Sequence, residues 1–327
     1  MLYLHGMGHF HPNNVIDNSF LESLDIETNN EWIMQRVGIA QRRSALSLDY
    51  IRQTYNQDPL QAIEHSELTG AQMGAQAALM AFERSGLQPD DIGMVIAGGC
   101  SMQYALPAHA TIVAAELGIE AEAVDINSAC STFAAHMHFL NRTKAEELPD
   151  YILLITSENW TNTIDYSDRA TAVLVGDCAV ATIVSTKKKT PCKISYTTLT
   201  SSPSGWNKVM SPIGKHFYQN GHAVQKFAIQ KTRLLIENIL AQTNIDHSTY
   251  YFIGHQANLM MLQAVCRKDN IPADRHLFNV NQFGNCAAAG APSVLSQHWG
   301  KFRPGDNIVL AVVGAGLTWG GMLIEYR

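Results

Sequence analysis

The second half of this 327-residue chain repeats the element order of the first, and few architectures accommodate such a repeat. Residues 91–98 read as a strand, 107–118 as a helix, and 123–140 as a strand, a corner carrying Cys130 and a further helix. The same succession returns at 250–254, 256–268 and 276–295. Spacing is kept as well: Gly98 lies 32 residues before Cys130, and His255 lies 30 before Asn285. Each half closes on a pair of apolar strands, 151–156 with 179–184 and 308–313 with 321–326. A duplicated α/β unit accounts for order and spacing together. In it Cys130 and Asn285 are equivalent corners, and His255 comes from a third.

The corners are chemically loaded. Cys130 follows the strand-like Ala123-Val124-Asp125-Ile126-Asn127 and begins a run of helix formers. Its sulfur should therefore sit at a helix N-terminus under unpaired backbone N–H groups, which favours thiolate. Phe252-Ile253-Gly254-His255-Gln256-Ala257-Asn258 and Phe283-Gly284-Asn285-Cys286-Ala287-Ala288-Ala289-Gly290 share the plan of strand, tight turn, polar residue and small-residue helix. Singly, such a cysteine is a small core residue and such a His or Asn a cap or turn former. Together, at duplicated corners, they point to one site.

Composition bounds the rest. With 46% hydrophobic residues the chain supports a large core, and its net charge of −6 argues against nucleic acid as the main partner. No basic region precedes a long apolar run at Met1, and no apolar stretch is long enough to span a bilayer. A soluble, cytoplasmic protein without membrane association is expected. Cys100, Cys130, Cys178, Cys192, Cys266 and Cys286 show no paired spacing, so they read as reduced thiols rather than a disulfide or zinc framework. His9 with His11, and His136 with His138, lack further ligands at usable spacing, so no metal is expected. Gly314-Ala315-Gly316 is followed by a strand, which removes the helix dipole a nucleotide loop uses. The run Thr186-Lys187-Lys188-Lys189-Thr190 reads as a solvated turn dividing the halves, 1–186 and 187–327.

Several strings now reach a family. Glu31-Trp32-Ile33 with Arg36-Val37-Gly38-Ile39, the Cys130 corner, Gly254-His255-Gln256-Ala257-Asn258, Phe283-Gly284-Asn285 and Gly314-Ala315-Gly316-Leu317-Thr318-Trp319-Gly320 resemble the β-ketoacyl-ACP synthase III group of the thiolase superfamily. The resemblance covers nearly the whole chain. It implies a five-layered αβαβα fold of two duplicated halves, a homodimer, and decarboxylative Claisen condensation on thioesters. Cys130 would accept the acyl group, since a thiolate attacks a thioester near neutral pH with little further activation. His255 and Asn285 would stabilise the enolate left by loss of CO2, through ring N–H and amide NH2. The backbone N–H groups of Cys130 and Ala315 would serve the second, tetrahedral oxyanion. By the same resemblance Trp32 and Arg36 hold the nucleotide end of coenzyme A, and Asn258 faces its pantetheine arm. Lys226, Arg267 and Lys268 match docking positions for an acidic acyl carrier protein. Leu106, before Pro107, matches a turn that inserts one side chain into the partner's acyl pocket. No tightly bound cofactor is implied; acyl-CoA or acyl-ACP is substrate.

Departures matter. Asn162 stands for a family arginine that meets the nucleotide, Met260 for a basic residue, and His222 for an asparagine, which shifts expectation toward an acyl carrier protein as donor. Residues 44–68 are an inserted loop, rich in Tyr50, Arg52, Tyr55, Asp58 and His65, of a kind that adapts a substrate entrance in specialised lipid and polyketide relatives or forms a surface flap. Acyl transfer to an alcohol or amine would leave Asn285 little to do. Non-decarboxylative joining of two acyl chains uses a carboxylate that Met102-Gln103-Tyr104-Ala105-Leu106-Pro107 lacks. A papain-like hydrolase shares the Cys, His, Asn chain order but not the duplicated pattern. A non-catalytic partner subunit would tend to lose the nucleophile that is kept here.

Overall fold

The computed structural model describes the chain apart from residues 244 and 246–248; the side chain of His222 also lies outside the described residues. Among the described residues nine strands form one mixed sheet: β1 Leu2–Phe10, β2 Met94–Gly98, β3 Glu122–Asp125, β4 Ile152–Glu158, β5 Cys178–Ser185, β6 Cys192–Ser201, β7 Tyr250–Gly254, β8 Asn307–Gly314 and β9 Thr318–Tyr326. Their spatial order is β7-β8-β9-β6-β1-β5-β4-β2-β3. The main helices are α1 Gly70–Ser85, α2 His109–Leu117, α3 Thr132–Arg142, α4 Gly221–Thr243, α5 Leu259–Asp269 and α6 Ala287–Gln297.

The duplication expected from sequence is explicit in the pairing. In the first half β3, β2 and β4 run parallel, and β5 and β1 follow antiparallel. In the second half β7 and β8 run parallel, and β9 and β6 follow antiparallel. One strand fails to repeat. Where the second half should carry the counterpart of β3, Phe252 makes a single parallel bridge to His276. The halves meet through two antiparallel pairs, Leu2 with Ile194 and Tyr3 with Lys193.

Every residue of β4 and β5 is buried, which is why both segments are so apolar. The alanine-rich α1 lies so close to β1 that a Cβ on Gly8 would meet the Ala77 carbonyl. Helices α3 and α6 occupy the middle: Phe133 and Met137 of one, and Val294 and Leu295 of the other, share a core with Leu154 and Val180 of the first half and Leu310 and Met322 of the second. With α1 and α2 outside one half and α4 and α5 outside the other, this is the five-layered αβαβα arrangement.

The segment 44–68 is not a loop. It folds as two short helices, Leu48–Thr54 and Pro59–His65, capped by Ser47 and Asp58. Buried Asn56, in left-handed backbone between them, donates through Nδ2 to the carbonyls of Asn162 and Ile164, both at 2.9 Å. Those bonds clamp the insertion onto the segment that follows β4. The lysine run 187–189 is exposed between β5 and β6, as expected, with Lys188 paired to Asp150 at 2.9 Å.

Candidate active site

Three strand-to-helix corners meet at the seam between the halves. Cys130 lies in a 3-10 turn, Ala129–Ser131, immediately before α3. Asn127 builds that corner: its Oδ1 accepts from Ala129 N–H at 2.8 Å, with Ala129 left-handed at φ 48°, and its Nδ2 donates to Gly99 O at 2.7 Å. The corner before α6 is made the same way. Asn285 Oδ1 accepts from Ala287 N–H at 3.0 Å, and Ala287 has φ 42°. The corners are therefore equivalent, but Cys130 and Asn285 do not occupy equivalent positions within them. Asn285 corresponds to Asn127, and Cys130 to Ala288.

This turn also orients the Asn285 amide. A backbone N–H needs an oxygen acceptor, so Oδ1 is committed to Ala287 and the NH2 is the half available to a substrate. His255 follows β7 and is buried, with its N–H bonded to Ala311 O at 2.9 Å. Its Nδ1 has no hydrogen-bond partner among the described residues. Gln256 holds the corner rigid: Nε2 donates to Gly254 O at 2.7 Å, and Oε1 accepts from Asn279 and Val280 N–H.

Two neighbours of Cys130 were not anticipated. Cys100, just past β2, places its sulfur 3.8 Å from the Cys130 sulfur. Glu158, at the end of β4 and fully buried, accepts from Cys100 N–H at 2.9 Å, Ser101 O–H at 2.7 Å and Ala288 N–H at 3.2 Å. Burial pushes its carboxyl up to about 8. The shared proton belongs on Cys100, which lies against Glu158, whereas Cys130 also receives donors from His255 and Ala315. Accordingly the Cys130 thiol is held well below its usual range, first by the Cys100 S–H, then by the His255 ring and the Ala315 N–H, against the opposing effect of burial. Gly314 permits that approach: a Cβ there would lie 3.1 Å from both Cβ and N of Cys130.

Cys130, His255, Asn285 and Ala315 line one cavity of about 250 Å³, together with Trp32, Arg36 and Asn258. At its mouth two guanidinium groups lie over the Trp32 ring, Arg36 at 5.4 Å and Arg169 at 5.1 Å from its centroid. Arg169 escaped the sequence reading, although its place eight residues before Asp177 carries no signal that would find it. Asn258 lines the cavity and also caps α5, accepting from Met261 N–H at 2.8 Å. Beyond Cys130 a second cavity of about 170 Å³ is lined by Cys100, Trp160, Val209 and Phe217. It adjoins a third that reaches Pro59 and Ile63 of the insertion, and Asn162 lines this one rather than the mouth. Leu106 is 81% exposed and lines none of these. Lys226 and Lys268 share a shallow surface depression beside the mouth with Arg233, and Arg267 is exposed on the last turn of α5.

The chain matches the family profile described as 3-oxoacyl-[acyl-carrier-protein] synthase III over residues 124–203, and its C-terminal counterpart over 240–326. It is 30% identical over 335 residues to a β-ketoacyl-[acyl-carrier-protein] synthase III of Coxiella burnetii, covering 98% of both chains. The crystal structure of 3-oxoacyl-[acyl-carrier-protein] synthase III from Aquifex aeolicus superposes with a TM-score of 0.88 at 27% identity, covering 100% of both chains. That from Pseudomonas aeruginosa superposes at 0.87 and 26% identity, covering 100% of this chain and 98% of the other.

The thiol pair has a measurable signature. Because a donor that favours thiolate lowers the pH at which the sulfur becomes nucleophilic, iodoacetamide should alkylate Cys130 with a pH midpoint below that of a free cysteine. Cys100→Ala should move that midpoint upward while peptide mass mapping still finds the label on Cys130. An unchanged midpoint would show that the two thiols are not coupled.

Proposed function

This chain belongs to the β-ketoacyl-ACP synthase III family, and from that premise we propose that its condensation runs on Cys130, His255 and Asn285. Members of this family are condensing acyltransferases that form a carbon–carbon bond. The convergence of one thiol, one imidazole, one oriented amide and the Ala315 N–H on a single cavity carries the assignment.

In the first half-reaction the Cys130 thiolate attacks the carbonyl of an acyl thioester, and the carrier thiolate leaves and is protonated. The tetrahedral oxygen accepts from the Cys130 and Ala315 N–H groups. A malonyl-type thioester then loses CO2, and the electron pair of the broken bond becomes an enolate. His255 and the NH2 of Asn285 donate to its oxygen. The enolate carbon attacks the acyl-cysteine, the same backbone donors hold the second tetrahedral oxygen, and collapse returns the Cys130 thiolate with a β-ketoacyl product. Cys100 is a positioning residue here, acting through the charge state of Cys130.

Trp32 with Arg36, joined by Arg169, suits the nucleotide end of coenzyme A, and Asn258 the pantetheine arm. Lys226, Arg267 and Lys268, with no ion pair among the described residues, suit an acidic acyl carrier protein. The repeat in strand order supports 1–186 and 187–327 as the two halves. A homodimer is supported by β3, an exposed edge strand, together with exposed Val124, Tyr104 and Leu106 nearby in the chain. No described helix is long and apolar enough to cross a membrane, in keeping with a cytoplasmic enzyme.

Incubation with a suitable acyl thioester should add one acyl mass to the protein, and Cys130→Ala should abolish it by intact mass spectrometry. His255→Ala and Asn285→Ala should still accept the acyl group yet lose condensation, measured as CO2 release, by about a hundredfold or more. Equal loss of both half-reactions would favour a general-base or structural role.

Charge reversal at Lys226 and Lys268 should raise the apparent KM for carrier-bound substrate, as should added salt, and leave a small pantetheine substrate unaffected. Equal effects on both substrates would refute docking at this surface.

Chain-length choice separates two further readings. Leu106→Phe should shift Cys130 acylation toward shorter chains if this side chain floors the partner's pocket, since one or two methylenes are worth about 1 to 3 kcal/mol in an apolar site. An unchanged profile in a folded Leu106→Phe dimer, with shortening in Ile63→Trp, would make the insertion the selector.

A further inference from the structure

By spacing alone the pair His9 and His11 lacks further ligands. The fold supplies them from far along the chain. His11 Nε2, Cys178 Sγ and Cys286 Sγ all lie within 4.8 Å of one another. They come from three segments that pack together: the residue after the end of β1, the first residue of β5, and the residue before α6. We propose that His11, Cys178 and Cys286 form a buried site for one thiophilic d10 ion, zinc(II) or copper(I), behind the Asn285 corner and outside the reaction cavity.

The spacing suits a single ion. Metal–sulfur bonds of about 2.3 Å and metal–nitrogen bonds of about 2.0 Å put neighbouring ligand atoms about 3.5 to 4 Å apart in trigonal or tetrahedral geometry. Cys178 Sγ stands 3.7 Å from His11 Nε2. The tautomer is also set. His11 Nδ1 lies 3.3 Å from Asp177 O, an acceptor only, so Nδ1 carries the proton and Nε2 presents its lone pair to the sulfurs. A ligating histidine is commonly held in this way, by donating its other N–H to a backbone carbonyl. The Phe283 ring stacks on the imidazole at 3.8 Å and 20°, which fixes the ring plane.

The donor set discriminates among ions. Two thiols and one imidazole match soft or borderline cations and disfavour magnesium or calcium, which take oxygen. Both cysteines are buried and His11 is half-buried, so an ion would enter from the His11 side. Binding zinc(II) releases the two thiol protons and leaves a neutral bis-thiolate complex; copper(I) leaves a complex of charge −1. Copper(I) is complete with three ligands, whereas zinc(II) takes a fourth, for which the Ser293 hydroxyl, within hydrogen-bonding reach of Cys178, is a candidate. The Cys100 and Cys130 pair, in the reaction cavity, offers a rival dithiol and must be excluded in any test.

The reduced, chelator-washed full-length chain would be titrated with zinc(II) against a colorimetric chelator, with copper(I) against a copper(I)-specific chelator, and with cobalt(II) as an optical probe of thiolate ligation. One equivalent per chain of the favoured ion is expected, with a raised melting temperature and, where that ion is zinc(II), a cobalt–thiolate charge-transfer band. Cys286→Ser and Cys178→Ala should each weaken binding about tenfold or more, and His11→Phe, which keeps the ring stack on Phe283, should do the same. The Cys100→Ala/Cys130→Ala chain should bind unchanged. Absence of stoichiometric binding in both the zinc and the copper arms, equal affinity in Cys286→Ser checked as folded by circular dichroism, or loss of binding only in the Cys100→Ala/Cys130→Ala chain would each overturn the proposal. Binding in the zinc or the copper arm alone, with this variant pattern, identifies the ion.

Discussion

The close passage of Gly314 over Cys130 is the constraint on which the rest of this structure depends. One belongs to the end of β8 and the other to the turn before α3, so the surroundings of Cys130 are complete only when the two halves dock. A Cβ at residue 314 would lie 3.1 Å from Cys130, a contact tight enough that Cys130 or its turn would have to give way. The halves share little direct strand pairing, two residue pairs between β1 and β6. Their register must therefore come from the middle layer, where α3 and α6 are buried against strands of both halves.

Burial makes the electrostatics of this seam demanding. Glu158 would repel a thiolate if ionised, and burial pushes its carboxyl up to about 8, which works against that ionisation. Asp177 is handled differently: it is fully buried with a carboxyl raised to about 6 by burial, and hydrogen bonds from Thr161 and Ala45 oppose that rise. The same two residues tie distant segments together, Glu158 the Cys100 turn to α6, and Asp177 the insertion to the chain after β4. Charge regulation and positioning are thus carried by the same side chains.

Much of this was legible in the residues before any coordinates. Alternating strand and helix signals revealed the duplication because each half must bury the same faces, and glycine turns before His255 and Asn285 marked the corners. Four features were not legible, each because it depends on contacts between segments far apart in sequence. Cys100 carries no signal until β2 and β4 bring it to Cys130. The offset that pairs Asn285 with Asn127 is set by left-handed alanines, a conformation no alanine advertises. The insertion looked like a loop because its helices span only seven residues each and are held by Asn56 rather than by their own periodicity. Cys178 and Cys286 meet His11 across more than 160 residues of chain, where spacing rules for metal ligands do not apply.

The single bridge at His276, in place of a fifth strand, bears on assembly. A duplicated unit with a full pairing edge at each end could add copies at both, and head-to-tail addition that does not close on itself yields a fibre. Here β3 presents a row of free backbone groups, while the opposite edge, β7, is covered at Phe252 by the His276 segment. The two ends are no longer interchangeable. Association through β3 would join like to like, a contact exhausted once two chains have met, so unequal ends of this kind would disfavour open-ended addition.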